Sequence, residues 1–260
     1  RTLIVRALDF FRQEHYLLQG DALVRLEVPD DARVSFMHSA GVAGDTLLLE
    51  LRSDYLAGER VFAKGSLLAT DFAAFRRGER RFQPLFEPSE TRSLAGVATT
   101  RSHVLVNIND NVIGTLEEWK RESDGRFARR VVVTPSPGNL GVIALHDSER
   151  RDDPLAEQYL LSYTDFLTPD SLLLGQTGSD RRETLKTLPA SFDATGMRAE
   201  QLFAQSRDGT RVPYFAVWPK GAKADGTNPT LLYGYGGFQI SLEPWYSRGM
   251  GAAWYSRGGV

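Results

Sequence analysis

The amino-acid sequence predicts a mainly β fold in which a unit of three or four short strands repeats along the first 190 residues. In that part, apolar and polar residues alternate over short runs separated by Gly, Asp, Asn and Pro, as is typical of antiparallel strands joined by turns. Corresponding apolar strands begin near Leu18, Leu67, Ile113 and Leu172, a spacing close to the ~40–50 residues of a propeller blade. The sequence therefore predicts a partial β-propeller of about four blades, with a β-sandwich with irregular loops as the competing architecture.

The predicted strands fall into four groups, each about the size of one blade. The first group is a hairpin over residues 17–28 with its turn at Gly20-Asp21. The second group covers residues 46–51, 60–63, 66–71 and 82–86. The third covers 103–108, 113–119 and 127–133, and the fourth covers 141–146, 158–163, 171–174 and 183–188.

The pattern changes after Pro189, and residues 190–199 are predicted to connect two domains. A hairpin follows, with strands over 201–206 and 211–218 on either side of a turn. Near the end of the sequence, residues 247–256 are predicted to form a short helix despite their glycines. Gly258-Gly259-Val260 is predicted to begin another strand.

A glycine-rich turn after the hairpin is the candidate floor of a reaction site. An apolar strand is predicted to begin at Thr230 and to run into Tyr233-Gly-Tyr-Gly-Gly-Phe238. Glycines let a backbone approach a ligand closely, and sites in α/β folds are commonly built at strand-end turns. The alternative interpretation is a glycine-rich strand exit in which Tyr233 and Tyr235 pack in a core.

Composition excludes several classes of function. The chain has 260 residues, with Lys+Arg 31 against Asp+Glu 33, so its net charge of -2 argues against a nucleic-acid partner. With Cys 0, disulfides, thiolate metal sites and a cysteine nucleophile are excluded. No apolar run reaches the ~18 residues that span a bilayer, so no membrane partner is expected. The densest cationic cluster, Arg76-Arg77-Gly78-Glu79-Arg80-Arg81, is predicted to be a solvated hairpin tip.

Three segments around the glycine-rich turn carry a family resemblance. They are Ser206-Arg-Asp-Gly-Thr-Arg-Val-Pro213, Asp225-Gly-Thr-Asn-Pro229 and Leu232-Tyr-Gly-Tyr-Gly-Gly-Phe-Gln-Ile-Ser241. In order, spacing and residue type they resemble the prolyl oligopeptidase family of serine peptidases. Segments 66–71, 94–96 and 163–169 are similar in placing to the later propeller blades of that family, which favours the propeller over the sandwich.

The resemblance implies a division into two domains. Residues 1–190 would be a partial β-propeller, and residues 191–260 would hold the first strands of an α/β-hydrolase catalytic domain. In this family a seven-bladed propeller precedes the hydrolase domain, caps the active site and filters substrates by size. The sequence is then expected to be a fragment that stops before the nucleophile.

The same resemblance assigns roles to four residues of the turn. Tyr235 would donate its phenolic O–H to the oxyanion of the reacting carbonyl, together with a backbone N–H next to the serine. Phe238 would line the pocket for the residue on the acyl side of the cleaved bond, where a flat ring suits proline. Gly236 and Gly237 would hold the backbone close to the substrate.

The catalytic triad of such an enzyme is missing from these residues. No G-x-S-x-G elbow is present, and His15, His38, His103 and His146 all lie in the propeller part, where strand or loop positions are expected for them. The metal-site motif H-E-x-x-H and the nucleotide-site motif G-x-x-x-x-G-K-[ST] are also missing. Asn107-Ile-Asn-Asp-Asn111 is predicted to be a strand-connecting turn. We therefore expect no cofactor, no metal, and no activity of these 260 residues alone.

The expected function of the full-length protein is that of a serine-type peptidase acting on short peptides. Cleavage after proline is the family's best-known preference and is favoured by the Gly-Gly-Phe form, although related members prefer basic residues. The competing hypothesis is a non-catalytic propeller that binds a partner and carries a vestigial hydrolase extension. A monomer in the cytoplasm is expected, and the periplasm stays open as a location.

Overall fold

The structure is a computed structural model that describes residues 2–38, 45–237 and 241–260. In this part of the chain, four antiparallel sheets follow one another along the sequence. Sheet 1 contains β1 (Thr2–Ala7), β2 (Gln13–Gln19) and β3 (Ala22–Arg25). Sheet 2 contains β4 (Arg33–Met37), β5 (Thr46–Glu50), β8 (Leu67–Asp71) and β9 (Gln83–Phe86), and a separate hairpin of β6 (Tyr55–Ala57) and β7 (Arg60–Phe62) is inserted between β5 and β8.

The remaining elements complete the described chain. Sheet 3 contains β10 (Arg92–Thr99), β11 (His103–Asp110), β12 (Ile113–Arg121) and β13 (Phe127–Val132). Sheet 4 contains β14 (Asn139–Ala144), β15 (Gln158–Thr164), β16 (Ser171–Gln176) and β17 (Arg182–Thr187). A two-stranded hairpin of β18 (Arg198–Gln205) and β19 (Arg211–Trp218) follows. The helices are α1 (Phe72–Arg76), α2 (Arg248–Ala253) and a 3₁₀ turn at Tyr255–Arg257.

The sheets stack face to face, because their central strands are apolar on both faces. In β5, Leu47 and Leu49 belong to the core shared with sheet 1, while Leu48 belongs to the core shared with sheet 3. This division follows from the two-residue period of a strand, which sends successive side chains to opposite faces. Full burial of each leucine contributes ~1.5–3 kcal/mol.

Side chains also tie neighbouring sheets together at their outer strands. Gln83 of β9 donates to the carbonyl of Phe127 and accepts from its N–H, both at 2.8 Å. Between sheets 3 and 4, Asp180 accepts from the N–H of Val133 at 3.0 Å, and Arg182 donates to the carbonyl of the same residue at 2.6 Å. These bonds satisfy backbone groups that the last strand of a sheet would otherwise leave unpaired.

The tight turn between β11 and β12 shows how local sequence sets one end of a sheet. Asn111 and Val112 both have positive φ, at 47° and 62°, as in the two-residue turns that match the twist of a hairpin. Asparagine accepts this conformation readily, whereas a β-branched valine does so rarely. The predicted turn in this region is therefore confirmed at 111–112, but residues 107–110 of the asparagine-rich run lie in β11.

Most predicted elements are confirmed, including the four strand groups, the hairpin after residue 200 and the helix near the end. Ser247 caps α2 by accepting from the N–H of Met250. Residues 198–199 belong to β18 and not to the predicted connection. Neither described helix has the length and apolar character that crossing a bilayer demands.

Three predictions about local structure are wrong, and one of them is the strand expected to begin at Gly258, since residues 258–260 form none. The cationic cluster at 76–81 is not a simple hairpin tip, because its first residue, Arg76, ends helix α1. Asp71 caps the start of this helix, and its carboxylate accepts from the N–H of Ala74. The apolar strand expected from Thr230 is not formed. The N–H of Leu231 donates to the carbonyl of Val260 at 2.9 Å, and the N–H of Val260 donates to the carbonyl of Pro229 at 2.8 Å. Val260 alone therefore pairs with this segment, whereas a β-strand needs a series of hydrogen bonds to a neighbouring strand.

Candidate functional site

Tyr235 lies in a segment without regular secondary structure, and its phenol lies close to Gly237, two residues further on. Its side chain is 49% exposed, and a Cβ atom added to Gly237 would lie 3.1 Å from its hydroxyl oxygen. Gly237 thus leaves the room that the phenol occupies. Among the described residues, a Cβ atom added to Gly236 would meet no other group within 4 Å. Phe238 lies outside the described residues.

Tyr233 belongs to an aromatic cluster that joins the turn to sheet 4. Its ring meets the ring of Trp245 edge to face at 5.9 Å, and Trp245 in turn contacts Phe166 at 6.0 Å. Phe166 lies between β15 and β16 and contacts Phe215 of β19 at 5.2 Å. Tyr233 is nevertheless 63% exposed. In this chain neither Tyr233 nor Tyr235 is packed in a core, which the alternative interpretation would require.

Residues 243–246 attach this part of the chain to the junction of sheets 3 and 4. The Glu243 carboxylate accepts hydrogen bonds from the side-chain amides of Asn109 and Asn139. The N–H of Tyr246 donates to the hydroxyl of Thr164 at 3.3 Å, and the Tyr246 hydroxyl accepts from the N–H of Ser191 at 2.9 Å. Asn109, Asn139 and Thr164 all lie at the same end of the two sheets, so residues 243–246 lie at that end too.

Comparisons with known proteins agree with the fold of the chain. No protein-family model matches the chain. The chain is similar to an uncharacterised peptidase, y4nA, of Sinorhizobium fredii (strain NBRC 101917 / NGR234), with 34% identity over 262 residues, 98% of this chain and 34% of the relative. A prolyl endopeptidase of Elizabethkingia meningoseptica is 31% identical over 139 residues, 54% of this chain and 18% of the relative. The solved structure of a post-proline cleaving enzyme from Rickettsia typhi superposes with a TM-score of 0.75 at 26% identity, over 99% of this chain and 36% of that one.

The chain belongs to the prolyl oligopeptidase family. It spans about a third of the length of the curated relatives it matches over nearly its whole extent. Because the structural likeness covers 99% of the chain, the prediction of a partial β-propeller followed by the first strands of an α/β-hydrolase domain is confirmed. The β-sandwich alternative is wrong.

A cavity of about 420 Å³ lies beside the Glu243 carboxylate, along the first strands of sheets 3 and 4. Its walls combine apolar residues of β14 and β15 with Asn107, Asn109 and Ser162. Gly96 and Gly141 also line it, and both come from the first strand of their sheet. The first strands of sheets 3 and 4 and the Glu243 side chain therefore line one space.

A second polar cluster at the other end of β11 contains serine, histidine and glutamate side chains that sequence reasoning did not bring together. The hydroxyl of Ser102 lies 2.9 Å from Nδ1 of His103, and a carboxylate oxygen of Glu157 lies 3.3 Å from the same nitrogen. A serine-protease relay needs the serine on one ring nitrogen and the acid on the other. This cluster therefore cannot act as a triad.

The electrostatics of that cluster are those of a structural tie between sheets 3 and 4. Burial acts to raise the pKa of the Glu157 carboxyl, but hydrogen bonds from His103 and three neighbouring hydroxyls outweigh it and hold the pKa at about 2. Across residues 2–38, 45–237 and 241–260, no three His, Asp or Glu side chains lie close enough together to hold a metal ion.

Sequence reasoning found the tyrosine–glycine turn but missed the residues that hold it. Glu243, Asn109 and Asn139 carry no local motif, since the two hydrogen bonds join residues 134 and 104 positions apart. The one available signal was the segment 163–169, which was compared with later blades of the family and which supplies Thr164 and Phe166.

Proposed function

We propose that this chain is part of a serine-type peptidase that hydrolyses short peptides, and that Tyr235 is its oxyanion-hole donor. The observation that carries the proposal is the half-exposed phenol of Tyr235, folded over Gly237 on a segment anchored above one end of the propeller. The names of the relatives, which include peptidases and prolyl endopeptidases, support an enzyme over a binding module. Serine, acid and base would come from sequence beyond these 260 residues, since the relatives are about three times as long.

The proposed chemistry is acyl transfer through a tetrahedral intermediate. When a serine attacks the scissile carbonyl, negative charge develops on the carbonyl oxygen, and a hydroxyl aimed at that oxygen stabilises the charge. The Tyr235 hydroxyl would donate this hydrogen bond, together with a backbone N–H next to the serine. The bond strengthens as charge develops, so it favours the transition state over bound substrate.

The domain boundary and the substrate pocket belong to the same proposal. Residues 1–190 would form the propeller part, which admits only short peptides, and residues 191–260 would begin the hydrolase domain. Phe238, with Gly236 and Gly237 holding the backbone close, would form the wall against which the proline ring packs. The full-length enzyme would act as a monomer in the cytoplasm.

The decisive test compares two tyrosine variants in the full-length enzyme. Tyr235→Phe removes only the hydroxyl, so kcat for a proline-containing peptide should fall by roughly 10²–10³ with little change in KM. Tyr233→Phe is the matched control, because Tyr233 packs on Trp245 and its variant should keep near-normal turnover. Thermal melts check that both variants fold.

Two outcomes would refute the assignment. Near-normal kcat in Tyr235→Phe would remove this hydroxyl from the reaction. A large fall in kcat for Tyr233→Phe, with Tyr235→Phe unaffected, would move the role to the other tyrosine.

A further inference from the structure

The Glu243 carboxylate has an unusual setting for a charged group next to a candidate active site. It is partly buried, and the partners that the structure gives it are two neutral amides, from Asn109 at the end of β11 and Asn139 at the start of β14. A carboxylate only accepts hydrogen bonds, so both asparagines must present their NH₂ groups to it. The Glu243 side chain thus bonds to two different sheets.

We propose that Glu243 is a positioning residue whose contact with Asn109 and Asn139 holds the tyrosine turn in place over the junction of sheets 3 and 4. We call this contact the Glu243 clamp. The clamp itself stands on the geometry, whereas its effect on turnover rests on the function proposed for Tyr235.

Packing alone does not hold the carboxylate. The cavity of about 420 Å³ beside it leaves room for the side chain to move. Hydrogen bonds to a charged group are also stronger than those between neutral groups, because the full charge attracts the donor. The two amides therefore decide where the side chain lies.

The backbone next to the clamp is restrained and passes the restraint on to the turn. Pro244 is buried, has a fixed φ and disfavours helical conformations for the residue before it, so Glu243 stays extended. Trp245 follows at once and contacts the ring of Tyr233, two residues before Tyr235. The clamp is thus linked to the candidate oxyanion donor through one aromatic contact.

A charge-exchange experiment in the full-length protein tests the clamp. Asn139→Asp places a second carboxylate against Glu243, and the two like charges repel each other. The amide of Leu231, which donates to the carbonyl of Val260, should then exchange hydrogen ~10-fold faster. Adding Glu243→Gln to Asn139→Asp should restore slow exchange, because the new amide donates to the new carboxylate.

Single variants separate the clamp from a folding defect. Glu243→Gln alone should stay close to wild type, since its oxygen accepts from one asparagine and its NH₂ donates to the other after an amide flip. Glu243→Ala leaves both sheets unchanged and should reproduce the fast exchange of Asn139→Asp. Unchanged exchange in Glu243→Ala, or failure of the double variant to recover, overturns the clamp.

Turnover of a proline-containing peptide tests the positioning role. Asn139→Asp should lower kcat by ~10–100-fold, more than it changes KM, and the double variant should recover. Fast exchange with unchanged kcat would overturn the positioning role. Failure of the Tyr235→Phe prediction would instead refute the oxyanion assignment, while the exchange measurements would still report on the clamp.

Discussion

At the scale of single residues, Gly251 in α2 lets the helix lie directly against Phe192. A Cβ atom added to Gly251 would come within 1.9 Å of a ring carbon of Phe192, whereas one added to Gly249 on the same helix would meet nothing within 4 Å. Phe192 stacks on Tyr246 at 5.0 Å with the rings nearly parallel. Gly251 therefore supports the same contacts that hold residues 243–246.

We predict opposite effects for alanine at these two glycines. Gly251→Ala should lower the free energy of unfolding by ~1–3 kcal/mol, because overpacking outweighs the gain of ~1 kcal/mol in helix propensity. Gly249→Ala should be neutral or stabilising by up to ~1 kcal/mol, because only the propensity changes. Urea unfolding measures the free energy of unfolding of the two variants. Equal values would contradict the prediction and mean that Phe192 moves aside without loss of stability.

The sequence indicated the candidate turn but not the residues that support it. Tyr235 was singled out because residues 233–238 resemble the prolyl oligopeptidase family. Glu243 was missed because a glutamate between Leu242 and Pro244 has no local signal, and its partners come from distant strands. The same holds for Trp245, whose contacts arise only when the chain folds back onto sheet 4.

At the scale of elements, the long connection between β14 and β15 is organised by one carboxylate. Asp153 accepts from the N–H groups of Leu155 at 2.9 Å and Asp147 at 3.0 Å, and lies 3.1 Å from Nδ1 of His146. The two backbone bonds lower the pKa of Asp153 from its ordinary 3.8 to about 2, with burial opposing them and His146 adding to them.

We predict that Asp153→Asn loosens this connection and removes part of the acid sensitivity of the protein. Because the folded pKa is depressed, the stabilisation is fully present above pH ~4 and is lost as the pH falls towards 2. The variant should therefore melt at a lower temperature than wild type at pH 6, and the gap should shrink by pH 3. The amides of Asp147 and Leu155 should exchange faster.

Asp152→Asn is the control for that experiment, because Asp152 is the exposed neighbour of Asp153. It removes the same charge and should leave both the melting temperature and the local exchange unchanged. If both variants melted alike at pH 6, net charge and not the hydrogen bonds of Asp153 would explain the effect.

Elements whose partners are close in sequence were predictable, and those with distant partners were not. The strands of each sheet pair with their neighbours along the chain, so alternation and turns sufficed to place them. The segment from Thr230 has strand-like residues, but Val260 is what pairs with it, so local propensity overstated its structure. Helix α1 was missed because its five residues are too few for a helical period.

At the scale of the whole molecule, the two end sheets each present an apolar face to solvent. Leu17 packs in the core between sheets 1 and 2, so Leu18 points the other way, and it pairs across the strands with Leu23, which is 53% exposed. In sheet 4, Val142 packs towards sheet 3, so Ile143 points outward at 63% exposure. Such faces favour association because burying them removes apolar surface from water.

The 260-residue chain on its own should therefore self-associate as its concentration rises. Light scattering coupled to gel filtration should show masses above 28.9 kDa, falling back towards that value on cooling because hydrophobic association weakens. Leu23→Lys combined with Ile143→Lys should restore a monomer, since each lysine places a charge on one end face. Leu56→Lys is the control, because Leu56 is equally exposed but lies on the separate β6–β7 hairpin, and it should change nothing.

A monodisperse wild-type chain at high concentration would mean that the end faces are too small or too curved to pair. Association that survives the double substitution would place the contact elsewhere on the molecule.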